Sequence, residues 1–167
     1  ASSGAEDAYE VLVGRHWAAA FRVALSCLGG RQCAEDAVQE SFLRLVRARR
    51  SYRRGSAFSP WFYTLLRNVC RDELRRRTHR PRTGSEVPEP SWHPDPAGEA
   101  AGRETSGNAL ALFGNLPAED REILSLRIHA GLDFPAIARA AGLSTEATKK
   151  RAYRALERLR RDLVRQG

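Results

Sequence analysis

Tyr9, Leu12, Val13, His16, Trp17, Ala20, Phe21, Ala24, Leu25 and Leu28 recur every three or four residues until Gly29-Gly30 interrupts them, the spacing of one long amphipathic helix. A second such pattern, from about Ala34 to Arg47, predicts a helix that buries Val38, Phe42, Leu45 and Val46. Glu35, Asp36, Gln39 and Glu40 gather near its start, where the helix dipole favours acids. After the loop at 51–59 a third helix is expected, with Pro60 in its first turn and Trp61, Leu65 and Val69 on one face. No stretch alternates with period two for long enough to form a strand.

The pattern lapses between Thr83 and Asn108, where four prolines, four glycines and five acids meet one arginine. That composition predicts a flexible linker. Its 26 residues reach about 85 Å fully extended and about 30 Å as a coil. Helical spacing then returns. Pro117 opens a helix carrying Ile123, Leu124 and Ile128 that ends at Gly131, Asp133 is placed to cap "FPAIARAA", and Gly142 to end it. A last helix from about Thr145 sets Ala152, Leu156, Leu159 and Leu163 on one stripe. Two short helices joined by a glycine-containing turn, the second strongly basic, carry a helix-turn-helix signature. The expected fold is all-α: a helical domain over 1–82, a linker over 83–108, and a helix-turn-helix domain over 109–167.

Charge narrows the partners. The 167 residues are 42% hydrophobic and 29% charged, ordinary globular material, but carry a formal net charge of +8. That excess favours a polyanion, either nucleic acid or an anionic membrane surface. No apolar run approaches the roughly 18 residues of a membrane span, and the start "ASSGAEDAYE" lacks signal-peptide regions, so a cytoplasmic protein is expected. The absence of methionine fits a trimmed or renumbered start. Cys27, Cys33 and Cys70 match neither a paired zinc motif nor a disulfide framework and read as small buried thiols, while the four histidines are scattered. No metal, cofactor or catalytic constellation is predicted, and the chain does not read as an enzyme.

Two basic regions carry the candidate chemistry. On the last helix Lys149, Lys150, Tyr153 and Arg154 fall together, away from the apolar stripe and near the helix start. A recognition helix meets the major groove there, since lysine and arginine donate to guanine and a tyrosine ring touches thymine methyls. In the first domain, the stretch from Arg44 to Arg82 holds 13 arginines against Asp72 and Glu73. Tyr52, Phe58, Trp61, Phe62 and Tyr63 are interleaved with them. Arginines with aromatic rings suit single-stranded nucleic acid, which stacks its bases along a charged groove. Most of these rings are expected to fill the core. Tyr52 and Asn68 stand out, the first as a ring beside the loop and the second as an amide able to donate and accept towards an unpaired base.

The stretches "AEDAVQESFLRLVRA", "YRRGSAFSPWFYTLLRNVCRDELRRR" and "LPAEDREILSLRIHAGLDFPAIARAAGLSTEATKKRAYRALERLR" resemble the extracytoplasmic-function (group IV) sigma factors of bacterial RNA polymerase. The resemblance covers both domains and their order. It implies that Asp36, Gln39 and Glu40 dock on clamp helices of core RNA polymerase. It implies that Tyr52 and Asn68 hold a flipped non-template base, with Arg67, Arg71 and Arg75 on the strand backbone. Asp72 stands where relatives often carry an amide, and its charge suits that place only if it pairs with an arginine. Lys149, Lys150, Tyr153 and Arg154 would read the distal element of double-stranded promoter DNA. The resemblance further implies a monomer when free, restrained by an anti-sigma factor with a membrane anchor, that serves a stress, metal or envelope response. The competing readings are a stand-alone helix-turn-helix transcription regulator, which would bind a palindrome without polymerase, and a DNA-rearranging enzyme such as a serine recombinase, which would need strands and a nucleophile-bearing α/β domain.

Overall fold

The computed structural model describes residues 3–53, 55–79 and 111–166; the expected linker at 83–108 lies outside them. Among the described residues the delimited helices are, in chain order, α1 (Ser3–Leu28), α2 (Arg31–Ala48), α3 (Phe58–His79), α4 (Ala118–Ile128), α5 (Phe134–Ala141) and α6 (Thr145–Gln166), and residues 111–114 are helical as well. Among the described residues there is no strand.

The glycine stop after α1 works as expected: Gly29 takes φ +73, and its N–H closes on the Leu25 carbonyl at 2.9 Å. By length and composition alone Glu6–Leu28 would pass for a membrane span, although Glu10, Arg15 and Arg22 interrupt its apolar run. In the fold the C-terminal part of its apolar side enters the core, with Ala20, Val23, Ala24 and Leu28 exposed by 1% or less, while Val11 stays 56% exposed. Because α2 begins at Arg31, three residues before the expected start, Glu35 and Asp36 lie outside its first turn and the dipole account of them fails. They are held instead by i,i+4 partners, Arg31 to Glu35 and Gln32 to Asp36, each at 3.0 Å. Val46, expected in the core, is 38% exposed, since it falls one step past the buried sequence Ala34, Ala37/Val38, Ser41/Phe42, Leu45.

α3 packs on α1 and α2 and also on α5. It therefore buries a broader and shifted arc, Phe62, Tyr63, Leu66, Val69 and Cys70, leaving the expected Trp61 and Leu65 half-buried. In the C-terminal segment the Asp133 carboxylate accepts from the Ala136 N–H at 2.8 Å, and Gly142 ends α5 at φ +68. Ser144 Oγ accepts from the Ala147 N–H at 3.1 Å and caps α6. The expected stripe on α6 is only partly used. Thr148, Ala152 and Ala155 are buried, but Leu156 and Leu163 are 44% and 38% exposed. The reason is length: α6 extends about 33 Å, while α4 and α5, about 16 and 12 Å long, cover only part of it.

Sequence patterning separates the two helical segments, whereas the structure gives them one core. Leu116, Ile123, Leu124, Leu126, Leu132, Ala136 and Ile137 join the cluster built by Ala20 to Cys70, with α4 against α1 and α5 against α3. His129, just after α4, is partly buried; burial, and then the Arg22 charge of α1, lower its pKa from the ordinary 6.5. A histidine depressed in this way contributes stability that is present above pH 6.5 and lost as pH falls through its folded value. The melting temperature of wild type minus that of His129→Gln is therefore expected to shrink between pH 7.5 and 5.5. Parallel pH profiles for the two proteins would remove His129 from the account.

Candidate nucleic-acid interface

On α2, Asp36 and Gln39 are exposed, and Glu40 is held at 2.8 Å by Arg44 one turn on. The hydrogen bond from Arg44 keeps the Glu40 carboxyl below its usual range, so this face stays anionic. Beside it runs a groove of about 450 Å³ between α2 and α3, floored by Ala37 and Val69 and walled by Asp36, Glu40, Glu73 and Arg76. Leu43, 50% exposed, and Val46 continue the stripe from Gln39 along the helix. Sequence reasoning missed both as surface. The signal was present in the i, i+4, i+7 spacing of Gln39, Leu43 and Val46, but apolar residues on an amphipathic helix read first as core.

On α3, Asn68 is exposed and makes no side-chain hydrogen bond among the described residues. Asp72 beside it is doubly paired, accepting from Arg44 and Arg75 at 3.2 Å each. That meets the condition under which its charge is tolerable next to a phosphate backbone. Arg71 is exposed, and Arg75 is 73% exposed in its side chain.

Arg67 departs from its expected place on the strand backbone. At 7% exposure it is buried, because Tyr63, Leu66, Arg67 and Cys70 share the inward arc of the helix. Its Nε donates to Glu122 on α4. Tyr52 is also less available than expected. Its hydroxyl donates to the Ser56 carbonyl, and its half-buried ring packs 5.1 Å from Trp61 and 6.4 Å from Phe58, centroid to centroid. The ring is fixed beside the loop, with one side against the aromatic cluster.

On α6, Lys150, Tyr153 and Arg154 are exposed, Tyr153 by 62%. Lys149 is half-exposed, with Glu146 at 3.8 Å. Buried Thr148 and Ala152 anchor the opposite side, so the four residues form one outward face next to the capped helix start. The Tyr153 ring lies 6.1 Å from Phe134, which ties the face to α5.

Sequence reasoning also missed the residues at the seam. Arg121 on α4 donates to the Ser26 carbonyl of α1 at 3.1 Å and to the Gly114 carbonyl at 2.9 Å. Glu122 has its carboxyl pushed above the usual range by burial, with Arg67 pulling the other way. Nothing in the pattern of α4 marks these two, since a charged pair on an amphipathic helix reads as solvent face. Cys70 is kept protonated by its hydrogen bond with Cys27 and by burial. Among the described residues no group of three histidines, cysteines or carboxylates is arranged to hold a metal ion.

Comparison with known proteins sets these surfaces in a family. Residues 12–80 match sigma-70 region 2, and residues 112–161 match sigma-70 region 4. The probable RNA polymerase sigma factor RfaY of Xanthomonas campestris pv. campestris is 32% identical over 171 residues; the alignment covers 98% of this chain but only 42% of RfaY. RNA polymerase sigma factor CarQ of Myxococcus xanthus is 32% identical over 161 residues, covering 94% of this chain and 90% of CarQ. Among solved structures, the sigma factor RpoE bound to the anti-sigma factor NepR from Bartonella quintana superposes with a TM-score of 0.73 at 23% identity, over 93% of this chain and 96% of that one. CnrH in complex with the cytosolic domain of CnrY superposes with a TM-score of 0.70 at 24% identity, over 99% and 94% of the two chains. Those two likenesses concern the fold; the sequence matches carry the assignment, among them the ECF RNA polymerase sigma factor EcfG of Rhodopseudomonas palustris, 31% identical over 84% of this chain and 75% of its own length, and by them the chain belongs to the sigma-70 family of RNA polymerase sigma factors, in its extracytoplasmic-function branch.

Proposed function

We propose that this protein confers promoter-specific initiation on core RNA polymerase, with α2 as docking face, α3 as the helix that captures melted non-template strand, and α6 as reader of the distal promoter element. One observation carries the reading: a single chain joins the region 2 and region 4 modules and presents on each an outward polar face beside a buried anchor. Asp36, Gln39 and Glu40 offer an acidic and amide surface with Leu43 and Val46 as its apolar edge. Such a mixture suits a helical partner with basic and apolar side chains.

Asn68 presents donor and acceptor to a base already out of the stack, and Arg71 and Arg75, one and two turns farther along α3, neutralise the strand beside it. Binding energy from these contacts offsets the few kcal/mol of unstacking. The protein supplies binding and no bond chemistry, so it acts without cofactor; nucleotide addition is left to the polymerase. Its working place is the cytoplasm, where the template is. The RpoE neighbour is bound to an anti-sigma factor and CnrH to a cytosolic domain. That supports restraint of this chain by an anti-sigma factor, with a membrane anchor, and an inducible regulon of the stress, metal or envelope kind. The free protein is taken as a monomer.

The first test is transcription in vitro with purified core polymerase on a pool of genomic promoters, where specific starts are expected only when the protein is added. Starts identical with and without it would end the proposal in favour of a stand-alone regulator. Joint replacement of Asp36 and Gln39 by alanine is expected to weaken core binding by about tenfold, roughly 1.4 kcal/mol, with an unchanged circular dichroism melt. Full affinity in that titration would move the docking face elsewhere.

Asn68→Ala is expected to lower permanganate reactivity of the melted region and to alter the preference at one base, with duplex binding retained. Equal melting with the same preference would return Asn68 to ordinary surface. For α6, Arg154→Ala is expected to cost about 1 to 3 kcal/mol and relax sequence preference at one position of the distal element. Arg158→Ala, farther along the helix, should weaken binding evenly and lower the salt dependence. A promoter library transcribed by each variant at two salt concentrations separates the two. Uniform loss on every sequence for Arg154→Ala would make α6 a phosphate clamp and no base reader.

A further inference from the structure

Arg67 is the one charged residue that is buried among the described residues, at 7% exposure. Its counter-charge comes from Glu122, 55 positions away and on the other module, with side-chain exposures of 8% and 14% for the pair. Burying both charges removes their hydration, and the raised carboxyl of Glu122 records that desolvation outweighs the pull of Arg67 and Arg71. A pair of this kind adds little net stability over apolar packing, but it is selective, because either charge left alone in the seam is strongly unfavourable. The next residue, Arg121, crosses the same seam to the Ser26 carbonyl, and Arg71, one turn beyond Arg67, also faces Glu122 electrostatically.

Carboxylate and phosphodiester each offer a guanidinium two charged acceptor oxygens. Arg67, Arg71 and Arg75 succeed one another every four residues along α3, a stripe with the spacing to follow a strand backbone. The first member of that stripe is occupied by Glu122, and the third shares Asp72 with Arg44. We propose that Glu122 is an internal stand-in for a DNA phosphate: it clasps Arg67, seats the helix-turn-helix module on the strand-binding side of α3, and so closes the free chain against single-stranded DNA. The proposal rests on the reading of α3 as the strand-capturing helix. In the closed chain Asn68 stays exposed while the arginine stripe is broken at its start. Opening gives Arg67 back to the strand and gives Glu122 back to water, which relieves its desolvation. Strand binding and closure are thus mutually exclusive, and linkage makes each oppose the other.

The test uses the full chain and a fluorescein-labelled, 12-nucleotide single-stranded DNA pool of random sequence, followed by anisotropy at low salt, with small-angle scattering of the unbound proteins. Glu122→Gln is expected to enlarge the radius of gyration and to tighten oligonucleotide binding by about tenfold, the gain when a competent state populated at one part in ten becomes dominant. Glu157→Gln, an exposed control with the same charge change, should alter neither quantity. Unchanged size and affinity for Glu122→Gln would overturn the clasp and leave the strand-binding reading of α3 intact. Expansion without any gain in affinity would overturn the role of closure in guarding the strand.

If the opened variant gains affinity and keeps it after Arg71→Ala and Arg75→Ala are added, the gain does not come through α3, and the reading of that helix fails as well. Should Glu122→Gln not fold, wild-type protein decides: saturating oligonucleotide is expected to speed hydrogen exchange across 118–128, and unchanged exchange there would overturn the proposal.

Discussion

An ionised guanidinium taken out of water must bring a carboxylate with it, and at Arg67 that carboxylate belongs to the other module. Much of the arrangement follows from this constraint. Glu122 can reach α3 only if α4 lies along α1 and α5 meets α3, and Leu116, Ile123, Leu124 and Ile137 then close over the seam. The hydrophobic effect supplies the driving force for that burial but is indifferent to register. The ion pair and the Arg121 contact to the Ser26 carbonyl select one register among those that the apolar surfaces would tolerate.

Arginine, the residue that dominates the composition of the first module, is divided between two tasks. Arg67 and Arg77 are turned inward, the latter to the Leu28 carbonyl at 3.1 Å, and hold helices together. Arg71, Arg75 and Arg76 stay in water and carry the charge that a polyanion would meet. Long aliphatic stems allow both uses within one helix, because the same side chain can pack its methylenes and still deliver a charge at its tip.

The helices, their glycine stops and the Asp133 cap were legible in the sequence because each depends on local chemistry: periodicity, left-handed φ, or a side chain reaching three residues on. The outward face of Lys149, Lys150, Tyr153 and Arg154 was legible for the same reason, being fixed by α6 alone. What escaped depends on contacts distant in sequence. The inward turn of Arg67 cannot be read from α3, since its partner lies 55 positions away. Leu43 and Val46 escaped for a different reason. Hydrophobic pattern says which residues would profit from cover, and their helix has more such residues than the fold has surface to cover them. Tyr52 was legible as a ring by the loop, but not as one pinned by Ser56 and Trp61.

Glu40, Arg44, Asp72 and Arg75 form a continuous chain of charges from the proposed docking face of α2 to the proposed strand-binding face of α3. Each inner member serves two neighbours, so none can be exchanged alone without leaving another half-paired. A neutral residue in place of Asp72 would remove the tie between Arg44 and Arg75, while loss of either arginine alone would leave Asp72 with the other. The two proposed faces, one on α2 and one on α3, are thereby joined electrostatically, so a change of charge on one is felt by the other.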